Sequence, residues 1–133
     1  MALAASSTDL KTAFEEHLTQ TQRHIERVGH VLSMHGHSGG NVTCMAMQGL
    51  LAEGDELMQL PADPAVIDAG LIAAAQRVEH YETAGYGCVR TWAQLLGYED
   101  SATTLQLILD EEAKTDQKLT DIATHSITRL AAR

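Results

Sequence analysis

Asp63-Pro64-Ala65-Val66-Ile67-Asp68-Ala69-Gly70-Leu71-Ile72-Ala73-Ala74-Ala75-Gln76-Arg77-Val78-Glu79-His80-Tyr81-Glu82 opens the longest periodic segment of the chain. Asp63 is an N-cap residue, and Pro64 stands at the first helical position, where its missing N–H is not needed. Ile67, Leu71, Ala75, Val78, Glu79, Glu82, Tyr86, Val89, Ala93 and Leu96 then recur at helical spacing. This stripe predicts one helix over 64–96, stopped by Gly97. Glu79 and Glu82 lie three apart, on one face of that helix. Carboxylates in an apolar stripe are unfavourable unless protonated, paired or bound to a metal.

Working outward, the preceding segment predicts a long helix over 8–35, with a stripe of Leu10, Phe14, His17, Thr21, Ile25, Val28 and Leu32. Asp9, Glu15 and Glu16 suit its N-terminal dipole. Glycines mark 35–41 as a loop. A short helix is predicted over 42–60, ended by Pro61. The last helix is predicted over 101–130, capped by Asp100 or Ser101. Its stripe is Leu105, Leu109, Glu112, Asp116, Leu119, Ala123 and Leu130. The short turn before it makes the last two helices antiparallel. The long connection between the first two long helices lets them run parallel.

Composition agrees. A chain of 133 residues forms one domain, and 44% hydrophobic content with only 4% aromatics makes Ala and Leu the main packing residues. The net charge of −9 argues against nucleic acid or an anionic membrane as partner. No apolar run approaches the length of a membrane span, and the first residues lack the charge of a signal peptide. Cys44 and Cys88 lack CxxC spacing and read as reduced, semi-buried thiols of a cytoplasmic protein. Trp92 reads as a core or interface residue.

The acidic residues form a constellation. Glu79 and Glu82 face Glu112 and Asp116 on the antiparallel neighbour, and His17 occupies a core position of the first helix. Carboxylates and imidazole projecting inward from facing helices suit a di-iron or di-manganese site. Lys114 and Lys118 flank Glu112 and Asp116, so ordinary salt bridging is the alternative. His30, Met34, His35, His37, Cys44, Met45 and Met47 offer soft-metal donors, but their spacing fits no compact template.

Several segments carry a resemblance: residues 10–17, Cys44 to Glu53, Asp68 to Ile72, Gln76 to Glu82 and Leu109 to Glu112. Over about residues 8–124 the chain resembles the YciF family of bacterial ferritin-like, rubrerythrin-related stress proteins. That resemblance implies an all-α, ferritin-like helical bundle, here with three long helices and one short crossover helix within a single domain, 1–133. It implies a dimer or higher homo-oligomer and a di-metal site. Glu79, Glu82 and Glu112 would be ligands, with His17 and Asp116 more weakly implied. The resemblance also implies a helix before about Ala5, which this sequence lacks, and acidic residues where it has Thr19 and Gln20. The expected function is a di-metal (iron or manganese) carboxylate protein of stress physiology acting on oxygen or peroxide. The alternative is a non-catalytic, oligomerising stress protein with an incomplete site.

Overall fold

The computed structural model describes residues 1–40 and 42–127. Helix α1 spans Thr8–Met34, α2 Met45–Met58, α3 Pro64–Leu95 and α4 Glu99–Ile122. One π-helical turn, Ala123–Ile127, continues α4. No strand occurs among the described residues, and the chain forms a helical bundle. The predicted end of the last helix, 128–130, lies outside the described residues.

The element boundaries follow local chemistry. Ser7 caps α1 by accepting from the Leu10 N–H, and Pro64 opens α3. Gly97 takes a φ of 78° after α3, a left-handed conformation that glycine adopts without strain. Helix α4 starts at Glu99, ahead of the predicted Asp100 or Ser101 cap. Its N-cap position is Tyr98, without a side-chain cap bond.

Cross-helix bonds set the directions. Gln76 donates to the Asp116 carboxylate at 3.0 Å and to Thr120 at 2.8 Å, while Ala93 further along α3 packs with Ala102 and Leu105, making α3 and α4 antiparallel. Thr115 donates to Gln20 at 3.1 Å and His35 meets Ser101 at 2.9 Å, so α1 also runs antiparallel to α4. Helices α1 and α3 are therefore parallel. Short α2 lies antiparallel on α3, through Cys44–Tyr81 at 2.9 Å and Glu53–Arg77 at 3.2 Å.

The inward faces repeat every seven residues, the spacing of bundle seams. Leu10, His17, His24 and Val31 line α1; Ile72, Glu79, Tyr86 and Ala93 line α3; Leu105, Glu112 and Leu119 line α4. Two apolar clusters result. One joins Leu10, Phe14, Leu71, Ile72, Ala75 and Leu119; the other joins Ala93, Ala102 and Leu105 with Tyr86. Between them lies one polar layer, built from His17, His24, Glu79 and Glu112.

Three burial expectations are corrected. Ile25, assigned to the α1 stripe, is 68% exposed, because the seven-residue seam turns His24 inward instead. Trp92 is 60% exposed, beside exposed Leu95 and Leu96, and is no core residue of this chain. Cys44 and Cys88 are both exposed rather than semi-buried.

Candidate metal centre

The polar layer is fixed by the seams. Glu79 on α3 and Glu112 on α4 are fully buried, and His17 on α1 is half-buried. One ligand atom from each lies within 4.8 Å of the others. His17 Nε2 is 3.0 Å from Glu79 Oε1. The second oxygens, Glu79 Oε2 and Glu112 Oε2, are buried with no protein partner. An unpartnered buried carboxylate oxygen is costly, and a divalent cation or a proton removes that cost.

The electrostatics bear this strain. Burial pushes the Glu112 carboxyl up to about 9, with the neighbouring Glu79 carboxylate and the charges of Glu82 and Glu111 adding to it. Burial and the Glu79 charge raise Glu82, partly offset by His17. Burial disfavours the His17 imidazolium, but the Glu79 hydrogen bond and charge, with Gln20 and Glu82, raise it above 6.5 overall. Tyr86, half-buried near Glu82 and Glu112, is pushed up to about 12 by burial and those charges. Without a cation, the raised Glu112 pKa favours its protonated form.

His17, Glu79 and Glu112 are thus brought together, with Glu82 electrostatically coupled beside them. Asp116 is not in the group. Its carboxylate faces Gln76 and lies 3.2 Å from exposed His80, one turn further along α4. Among the described residues no other His/Cys/Asp/Glu group gathers this way, and His35 is instead bonded to Ser101.

His24 is the residue that the sequence reading missed. It is buried, with Nδ1 2.9 Å from Glu112 Oε1 and Nε2 2.6 Å from Glu111 Oε2. Arg27 binds the same Glu111 oxygen at 2.8 Å. Burial opposes ionisation of Glu111, but His24 and Arg27 outweigh it and lower its pKa. The signal was available, since Leu10, His17, His24 and Val31 keep a strict interval of seven.

Two openings reach the layer. A cavity of about 190 Å³ between α1 and α4 is lined by His17, Gln20, Glu79 and Thr115. On the other side, a groove of about 440 Å³ runs past Leu3, Leu18, Leu51 and Val78 to His17 and Glu79. Both are large enough for water or small oxidants.

The profile described as "Domain of unknown function (DUF892)" matches residues 1–132. The chain belongs to the DUF892 family. Among DUF892 relatives, Protein YciF of Escherichia coli (strain K12) is 42% identical over 132 residues, which are 98% of this chain and 80% of YciF. The crystal structure of the E. coli stress protein YciF superposes with a TM-score of 0.91, covering 96% of this chain and 80% of that one. YcfI of Rhodopseudomonas palustris, described as a proposed structural protein, is 39% identical with a TM-score of 0.85, covering 90% of this chain and 76% of its own. Among the described residues of this DUF892 chain, no helix is long and apolar enough to cross a membrane.

Proposed function

We propose that this DUF892 chain is a ferritin-like carboxylate protein that holds iron or manganese in the service of a bacterial stress response. The supporting observation is the pair of orphaned oxygens, Glu79 Oε2 and Glu112 Oε2, within reach of the His17 imidazole. Oxygen and nitrogen donors of this kind suit hard or borderline divalent ions. When bound, the metal would supply the electrons for reduction of oxygen or peroxide. His17, Glu79 and Glu112 would hold it. Tyr86 and the apolar clusters above and below limit water around the layer.

The test is anaerobic loading with iron(II), removal of unbound metal, and exposure to oxygen. Retained iron and a new near-ultraviolet band are expected. Glu79→Ala combined with Glu82→Ala abolishes both if the reading is right. No retained iron or manganese refutes it.

A second, structural reading draws on the relative described as a proposed structural protein. Here the acidic layer holds only protons, and the double alanine variant is neutral or more stable. Either reading includes self-association in the cytoplasm. Exposed Val89, Trp92, Leu95, Leu96 and Tyr98 supply apolar surface at the α3–α4 end of the bundle.

A further inference from the structure

Ferritin-like di-metal sites draw on four carboxylates and two histidines projecting from four helices. A carboxylate that bridges two ions offers one oxygen to each. In this chain Glu112 has only one oxygen to offer. Its Oε1 lies 2.9 Å from His24 Nδ1, and the other ring nitrogen lies 2.6 Å from Glu111 Oε2. Each ring nitrogen therefore faces a carboxylate oxygen. Glu111 is in turn anchored by Arg27 at 2.8 Å.

We propose that His24 is a positioning residue that commits Glu112 to ligation through Oε2, so that this chain holds one divalent ion rather than two. The inference rests on the metal-binding reading above and fixes its nuclearity. The other polar groups near the layer agree. The Gln20 carbonyl accepts from Thr115 at 3.1 Å. Asp116 is turned to Gln76 and His80. Among the described residues, a second ion would find Glu82 and no other uncommitted carboxylate.

Cobalt(II) is the probe. The full chain is titrated, freed of unbound metal by gel filtration, and measured for cobalt content and visible spectrum. One cobalt per chain is expected. His24→Leu should weaken binding about 10–100-fold, the usual effect of losing an outer hydrogen-bond partner of a ligand, and should shift the visible band. His24→Gln, which keeps a donor toward Glu112, should restore most of both. Two cobalt ions per wild-type chain, or unchanged affinity and spectrum in folded His24→Leu, overturns the assignment and leaves metal binding standing. No cobalt on the wild type overturns both. If His24→Leu does not fold, the wild-type stoichiometry alone decides.

Discussion

Glu79 and Glu112 meet across the α3–α4 seam, each with its Oε2 buried and unpartnered, in the one polar layer between two apolar clusters. Two consequences concern this pair and its proton.

The Glu112 carboxyl stands at about 9 in the folded chain against an ordinary 4.5. Between those values the folded chain keeps a proton that the unfolded chain has released. Stability of the metal-free protein therefore falls as pH rises through that window. Thermal unfolding across it should show a declining Tm. Glu112→Gln cannot ionise, and its carbonyl can still accept from His24, so its profile should be flatter. An equally steep decline in that variant would assign the effect elsewhere.

Metal must displace the proton that Glu112 holds. Manganese(II) affinity should rise with pH toward about 9. Calorimetry in buffers of different ionisation enthalpy should detect proton release. Heats that do not depend on the buffer would contradict this account.

The N-terminal segment is stapled to α3. Buried Asp68 accepts from the Ser6 N–H at 2.8 Å, the Ser6 hydroxyl at 2.7 Å and the Ser7 N–H at 2.8 Å. Hydrogen bonds to a charged group contribute more than neutral ones, so Asp68→Ala should cost about 3 kcal/mol in urea unfolding. Ser6→Ala removes one of the three and should cost less. Its effect should disappear in the Asp68→Ala background.

Gly70 is required where α2 crosses α3. A Cβ there would fall 2.7 Å from the Leu57 methyls. Gly70→Ala should destabilise by about 1–3 kcal/mol through overpacking. Leu57→Ala in the same chain should relieve part of that penalty, read as a favourable coupling in a double-mutant cycle.

Self-association should depend on the exposed apolar end of α3. Native mass is expected to correspond to a dimer or higher oligomer. Trp92→Glu with Leu95→Glu should shift it to the monomer, because both side chains are mostly exposed in the single chain. A monomeric wild type at micromolar concentration would remove this element of the reading.

The fold was legible because Pro64, Gly97 and the apolar periodicity are local signals, and they placed the ends of α3 within a residue. The site was legible in part. Glu79 and Glu112 stand out because charge in a core stripe violates the pattern that surrounds it. His24 did not stand out, because a stripe drawn through Ile25 follows hydrophobicity, whereas the bundle follows the interval of seven. Asp116 shares the α4 stripe on paper, yet it stands about one turn beyond Glu112, where it faces Gln76 and His80. The exposure of Trp92 was not readable locally, since it depends on which surface the neighbouring helices leave uncovered.

The central claim is that His17, Glu79 and Glu112 hold a divalent metal ion. Calorimetric titration of the metal-free chain with manganese(II) tests it most directly, with Glu79→Gln/Glu112→Gln alongside. The account predicts saturable binding by the wild type and its loss in the double variant, which should also be more stable than the metal-free wild type. No binding by the wild type, or equal binding by both proteins, would contradict it.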